Sequence, residues 1–147
     1  KFVAGFRGTA CCAHYMSRKL LFLVPNVVPV THADATAVEK LVDISGDDCL
    51  ILYSFPQYSE LNYVLMDMAQ EQKAKIILFT DQITSPLARQ ADVVVTARVG
   101  GLGFTNSYAV PLSLTEVVLL TLSSRRGEEQ EKRMNYVDKL MEENQLY

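Results

Sequence analysis

Residues 50–60 have the sequence LILYSFPQYSE, in which an apolar run ends in a short polar loop that opens a helix. The apolar run from Cys49 to Tyr53 is too short for a helix and is flanked by turn formers, so it predicts a strand buried on both faces. Pro56 stops the strand, and Ser59 is placed as N-cap of the next helix, with Glu60 in its first turn. Hydroxyls beside the unpaired N–H groups of a helix start favour an anion site. The alternative is an ordinary loop whose serines only cap the helix.

The composition limits the class of protein. With 147 residues the chain is expected to be one domain, and 49% hydrophobic and 21% charged residues are ordinary for a globular protein. The net charge of −3 argues against nucleic-acid binding by this chain itself, since such binding favours a basic face. No apolar stretch has membrane-spanning length and no signal peptide is evident, so we expect no membrane association and a cytoplasmic location. The chain opens directly on a strand, which suggests a domain cut from a longer protein.

Three cysteines, Cys11, Cys12 and Cys49, are odd in number and lack the spacing of metal ligands. We expect them to be buried, reduced thiols of a cytosolic protein. The sequence implies no metal and no cofactor.

A second strand and loop come at the start of the chain, where an apolar run from Phe2 to Ala4 precedes Gly5-Phe6-Arg7-Gly8-Thr9. The two glycines allow the backbone to turn sharply after a strand. Thr9 is expected to cap the following helix, which would place a second hydroxyl at a helix start. Arg7 could contact a phosphate, although a solvated arginine is the commoner role for a loop arginine.

Short apolar runs alternate with helical patterns along the rest of the chain. Further strands are predicted at residues 26–31, 75–80 and 92–96, the first interrupted by Pro29 and therefore at an edge. This alternation predicts an α/β fold with a five-stranded parallel sheet, flavodoxin-like strand order 2-1-3-4-5 and helices on both faces. In that order the ligand crevice lies between the first and third strands, so the loops at Gly5–Thr9 and Ser54–Ser59 would meet there.

Two helices are predicted after the glycine-bearing loop at residues 98–108. The first, over residues 111–124, is apolar nearly all round between Leu112 and Leu122, with Glu116 as its one charge. A helix of this kind in a small domain predicts a subunit contact. The terminal helix, over residues 127–144, is amphipathic, and its apolar stripe comprises Met134, Val137, Leu140 and Met141. We therefore expect a homodimer formed by the first helix and by the terminal helix.

Four blocks resemble the sugar isomerase (SIS) domain, in the order of that family and over nearly the whole chain. They are Gly5-x-x-x-Thr9, residues 54–60, Thr80-Asp81 and residues 85–92. The phenylalanine-proline form of the central loop is most similar to the SIS domain of RpiR-type transcription regulators. In those proteins an N-terminal helix-turn-helix domain binds DNA and the SIS domain senses a phosphosugar.

The resemblance implies a phosphorylated sugar as ligand and a dimer with the partner chain near the site. It implies phosphate contacts from Thr9, Ser54, Ser59 and Thr80. The full candidate ligand-binding set is Gly5, Arg7, Gly8, Thr9, Ser54, Phe55, Gln57, Ser59, Glu60 and Thr80. DNA binding is expected to lie outside this chain, because no helix-turn-helix sequence precedes Lys1.

The central loop departs from the family pattern at two positions. Pro56 stands where many members have serine, and Gln57 stands where many members have glycine and many regulators have arginine. The loop is less flexible than one with glycine at this position, or lacks the positive charge of one with arginine. Either difference affects phosphate affinity and the identity of the ligand.

Two functions from different classes fit these observations. The first is a phosphosugar sensor, and the second is a sugar-phosphate isomerase or related lyase. Isomerisation needs a base with a tuned pKa within reach of the proton beside a carbonyl, and the candidates are Glu60, Glu116, His14 and His32. A first-turn glutamate more often serves the helix dipole, and neither histidine has an evident partner. We therefore assign no catalytic residue and favour the sensor.

Overall fold

The computed structural model of the chain describes residues 1–101 and 103–146, without the side chains of Arg126 and Glu129. It contains a five-stranded parallel sheet with the order β2-β1-β3-β4-β5, as the alternation of strands and helices predicts. The strands are β1 (Phe2–Gly5), β2 (Val28–Val30), β3 (Cys49–Tyr53), β4 (Lys75–Thr80) and β5 (Val93–Thr96). The α-helices are α1 (Ala10–Leu20), α2 (Ala35–Lys40), α3 (Glu60–Glu71) and α4 (Ala109–Glu143).

The sheet separates two hydrophobic layers, because neighbouring residues of a strand point to opposite faces. In β3, Leu50 and Leu52 join the layer that includes residues of α2 and α3. Ile51 and Tyr53 join the opposite layer, which includes residues of α1 and α4. All four are buried, so β3 is the fully covered central strand that its continuous apolar run predicts.

The two predicted C-terminal helices are the two halves of α4. They are separated at Gly127, whose backbone has φ 47° and ψ −119°. This left-handed, non-helical conformation is accessible to glycine and strained for other residues. The first half packs on the domain core through Leu119, which is 5% exposed.

The expectation that all three cysteines are buried is wrong. Cys11 is exposed, so only Cys12 is a fully buried thiol, and burial raises the pKa of Cys12 to about 12. The buried stripe of α3 comprises Asn62, Leu65, Met66 and Ala69. Within the part of the chain that the structure describes, no helix has the length and apolar character to cross a membrane.

Candidate functional site

A cavity of about 600 Å³ lies at the carboxyl edge of the sheet. Its walls come from the loop after β1, the loop after β3 with the start of α3, and the segment before α4. β1 and β3 are neighbours, with Gly5 opposite Tyr53 in the register. The cavity therefore occupies the switch point at which ligands bind in sheets of this order. Its described lining residues are Phe6, Arg7, Gly8, Thr9, Tyr53, Ser54, Phe55, Pro56, Gln57, Tyr58, Ser59, Asn62, Gly100, Gly101, Gly103, Phe104, Thr105, Asn106 and Tyr108.

Seven of the ten predicted site residues are in this lining: Arg7, Gly8, Thr9, Ser54, Phe55, Gln57 and Ser59. Gly5, Glu60 and Thr80 are outside it. Gly5 packs the first strand against α1, because a Cβ there would lie 2.7 Å from the carbonyl oxygen of Thr9. Glu60 is exposed in the first turn of α3.

Ser54 and Asn62 form a buried pair on the cavity wall. Ser54 is 2% exposed and Asn62 is 4% exposed. The side-chain Nδ2 of Asn62 donates a hydrogen bond of 2.6 Å to Oγ of Ser54. Because this hydroxyl oxygen accepts from the amide, its own proton remains available to a ligand. Oδ1 of Asn62 is buried and has no partner among the described residues.

The loop between Ser54 and α3 leaves a row of backbone donors unused. No described hydrogen bond has the backbone N–H of residue 55 or of residues 57–61 as its donor, and Pro56 has no N–H. The neighbouring N–H groups of Ser54 and Asn62 are bonded to Phe79 O and Ser59 O. Gln57 lies within this row with φ 77°, a left-handed conformation that turns the loop. Together with the positive end of the α3 dipole, these donors favour an anion.

Ser59 is the N-cap residue of α3 as predicted, but its hydroxyl makes no capping bond. The hydroxyl is half-buried and lines the cavity, so it is not consumed by the helix start. The hydroxyl of Ser59 therefore does not serve as a helix cap, in contrast to the alternative in which the loop serines only cap the helix.

Thr9 occupies the predicted N-cap position of α1, but its hydroxyl makes no capping bond to that helix. Its Oγ1 accepts a bond of 2.8 Å from the N–H of Phe6 and donates one of 2.8 Å to the carbonyl oxygen of Phe6. The hydroxyl thus closes a 3-10 turn over Arg7–Thr9 that precedes α1. Arg7 has φ 56° in that turn and is exposed on the cavity lining. In the loop after β1, the guanidinium of Arg7 is therefore available to a ligand. The hydroxyl proton of Thr9 is not, because it is already donated to Phe6 O.

Thr80 and Asp81, at the end of β4, hold the loop after β3 in position through hydrogen bonds. Thr80 is fully buried, and its Oγ1 donates to Oδ1 of Asp81 at 3.2 Å. The same carboxylate oxygen accepts a bond of 2.7 Å from the hydroxyl of Tyr58, which lies in the loop after β3. Burial, and then the bond to Asp81, raise the pKa of Tyr58 to about 12, so the phenol stays protonated as a donor. Thr80 therefore contributes to loop position rather than to the cavity surface.

Sequence comparison assigns the family. Residues 2–121 match the sequence model of the SIS domain. The chain belongs to the SIS domain family. No curated protein sequence matches it significantly.

Solved structures share the fold of this SIS domain. The sugar isomerase domain of an RpiR transcription factor from Sphaerobacter thermophilus has a TM-score of 0.88 and 24% identity, over 94% of this chain and 77% of that chain. A structure named as a putative sugar-phosphate isomerase from Listeria monocytogenes has a TM-score of 0.77 and 19% identity, over 90% and 72% of the two chains. The Vibrio vulnificus NanR protein complexed with ManNAc-6P has a TM-score of 0.73 and 14% identity, over 95% and 54%. At these identities the likeness shows the fold.

None of the four candidate bases is among the described residues that line the cavity. Glu116, on α4, accepts a bond of 2.6 Å from the hydroxyl of Tyr15 and pairs with Lys19 at 3.3 Å. The bond from Tyr15 holds the pKa of Glu116 below its usual range, and Lys19 acts in the same direction. His14 and His32 are exposed and are not in the cavity lining. Among the described residues, no group of three His, Cys, Asp or Glu side chains could hold a metal ion.

The sequence analysis missed Asn62, Tyr58 and Tyr108. A polar residue at position 62, three residues before Leu65 and four before Met66, is the one signal that could have identified Asn62, because that spacing places it on the buried stripe of α3. No local signal distinguishes Tyr58 or Tyr108 from other loop tyrosines, since their roles depend on partners far along the chain.

Proposed function

We propose that this SIS domain is the phosphosugar-binding effector domain of an RpiR-type transcription regulator. The observation that carries the proposal is the composition of the cavity lining. It contains residues 55 and 57–59, whose backbone N–H groups have no described acceptor, together with Ser54, whose hydroxyl proton is free, and the cation Arg7. A phosphate group satisfies such donors, because bonds to charged acceptors are roughly twice as strong as neutral ones.

The charge of the cavity supports an anionic ligand. Among its described lining residues Arg7 is the one cation, and none of them is Asp or Glu. A phosphate placed at the start of α3 would therefore meet no like charge from this lining. The volume of about 600 Å³ lies within the range of small-molecule sites and exceeds the need of a phosphate alone. A phosphorylated sugar fits both the charge and the volume of the cavity, because it carries a polar sugar in addition to its phosphate.

The arrangement of side chains supports binding without turnover. None of the four candidate bases is in the described lining, and Glu116 is already paired with Tyr15 and Lys19. Proton abstraction requires a base within hydrogen-bond reach of the substrate. The alternative function is a sugar-phosphate isomerase, which the fold of the Listeria neighbour keeps open. In the regulator proposal DNA recognition falls to another domain, in keeping with the net charge of −3 here.

We also propose that the domain acts as a homodimer. Val110, Val117 and Leu120 of the first half of α4 are between 50% and 65% exposed. In the second half, Met134 and Leu140 are 42% and 39% exposed. Burial of these side chains against a second copy would be favourable at roughly 25 cal/mol per Å² of apolar surface. A twofold axis pairs the same surface of both copies, so one helix face serves both protomers.

Calorimetry tests the ligand class. The domain is titrated with ManNAc-6P, glucose 6-phosphate and other aldose and ketose phosphates, and in parallel with the unphosphorylated sugars. At least one phosphosugar should bind, and its parent sugar should bind far more weakly, because the donors are arranged for an anion. Equal affinity for sugar and phosphosugar would contradict the proposal.

A turnover assay separates the regulator from the isomerase. The same sugar phosphates are incubated with the domain, and the interconversion of aldose and ketose is followed. The regulator proposal expects no rate above background. A measurable rate that is lost in Glu60→Gln would establish the enzyme instead.

A further inference from the structure

Tyr108 forms the cavity wall contributed by the segment before α4. It is half-buried, lines the cavity and immediately precedes the first residue of α4, Ala109. It belongs to none of the sequence blocks that resemble the family. Its surroundings nevertheless connect it to both ligand loops.

The phenol of Tyr108 lies directly against Gly8. A Cβ added to Gly8 would be 2.6 Å from Oη of Tyr108 and 2.9 Å from Cε2. Gly127 is the one described glycine with positive φ, so the backbone conformation of Gly8 does not itself require glycine. The missing side chain at position 8 instead leaves the space that the Tyr108 hydroxyl occupies.

The ring of Tyr108 also meets the loop after β3. It makes an edge contact with Phe55, with ring centroids 6.0 Å apart and an interplanar angle of 62°. Phe55 is 4% exposed, so this contact holds one side of the ring against a buried neighbour. The Tyr108 ring thus has a fixed place between the two ligand loops.

The three cavity tyrosines differ in what their hydroxyls do. Tyr53 shares a bond of 2.6 Å with Oγ1 of Thr115; since Thr115 donates its own proton to Pro111 O, Tyr53 is the donor. Tyr58 donates to Asp81. The hydroxyl of Tyr108 has no hydrogen-bond partner among residues 1–101 and 103–146. Tyr108 is therefore the cavity tyrosine whose hydroxyl is left for a ligand.

We propose that Tyr108 is a specificity residue whose hydroxyl hydrogen-bonds the sugar portion of the bound phosphosugar. The assignment rests on the proposed function. The proposed anion donors are the hydroxyl of Ser54, the N–H groups of residues 55 and 57–61, and the guanidinium of Arg7. Oη of Tyr108 lies against Gly8 rather than against the start of α3. We therefore assign this neutral hydroxyl to the sugar portion of the ligand.

Tyr108→Phe tests this assignment, because it removes one oxygen and keeps the ring contacts. Calorimetry compares wild type and variant with two probes: inorganic phosphate, and the phosphosugar that binds wild type most tightly. A neutral hydrogen bond changes affinity by about 2- to 12-fold, so we expect a loss of that size for the phosphosugar and no change for inorganic phosphate. Tyr63→Phe, at a half-buried tyrosine of α3 outside the cavity, is the matched control and should change neither affinity.

Unchanged phosphate binding shows that the variant is folded and that its anion donors are intact. Equal weakening of both probes would place Tyr108 on the phosphate and overturn the assignment, as would full phosphosugar affinity in the variant. If wild type binds no phosphosugar, the proposed function fails, and the Tyr108 assignment fails with it. If wild type binds and Tyr108→Phe binds equally well, only the assignment fails.

Discussion

Ser54→Ala should weaken phosphosugar binding and also destabilise the fold, for two separable reasons. Ser54 is 2% exposed, and its hydroxyl accepts the 2.6 Å bond from Nδ2 of Asn62, which leaves its proton for the ligand. Alanine removes that proton. It also leaves Nδ2 of Asn62 unpaired beside an Oδ1 that already has no described partner.

The two effects have predictable sizes. A hydrogen bond to a charged acceptor contributes about 1.5–3 kcal/mol, so the loss of one should weaken binding about 10- to 150-fold. A buried donor left without a partner costs about 1–3 kcal/mol of folding free energy. For a domain of this size that cost lowers the melting temperature by roughly 3–10 °C.

The double variant Ser54→Ala/Asn62→Leu separates the effects. Replacing both polar partners by apolar groups of similar size removes the unpaired donor, so the melting temperature should return toward that of wild type. Affinity should stay low, because the Ser54 proton is still missing. Thermal unfolding reports the first quantity, and calorimetry with ManNAc-6P or the tightest phosphosugar reports the second.

The reasoning is refuted if Ser54→Ala binds the phosphosugar as tightly as wild type. It is also refuted if the double variant regains affinity together with stability. In that case the lost binding came from a damaged fold, and the Ser54 hydroxyl does not contact the ligand.

Further predictions concern the β1 loop, the dimer and acid stability. Gly8→Ala should displace the phenol of Tyr108 and weaken phosphosugar binding at least as much as Tyr108→Phe does, because its Cβ would lie 2.6 Å from Oη; calorimetry of both variants checks the order. The pair Val117→Glu and Leu120→Glu, at residues 58% and 65% exposed, should convert a dimer into a monomer in sedimentation, and a monomeric wild type would refute the dimer. The depressed pKa of Glu116 means that its stabilising effect is present at neutral pH and is lost as pH falls through that pKa. Acid titration followed by circular dichroism should therefore show a smaller loss of stability in Glu116→Gln, and an identical acid profile would contradict it.

The sequence by itself determined the sheet and the position of the cavity. Short continuous apolar runs define buried parallel strands, and their alternation with helices permits few topologies. The order 2-1-3-4-5 then brings the carboxyl ends of β1 and β3 together. Seven of the ten predicted site residues share one cavity because this depends only on which loops follow those strands.

The tertiary structure decided what each polar side chain does. A hydroxyl at a helix start is ambiguous in sequence: Thr9 bonds to Phe6 within its own turn, whereas Ser59 leaves its hydroxyl unused. The buried face of α3 includes Asn62, and only the folded chain shows that its amide lies beside Ser54 and donates to it.

The third wall of the cavity depends on contacts between residues far apart in sequence. Tyr108 reaches Gly8 across 100 positions, and Tyr53 bonds to Thr115 across 62. Local pattern and propensity describe neighbours a few residues apart and carry no information on such pairs. Only the folded chain, with α4 packed beside β3, brings these hydroxyls to the cavity and leaves that of Tyr108 without a described partner.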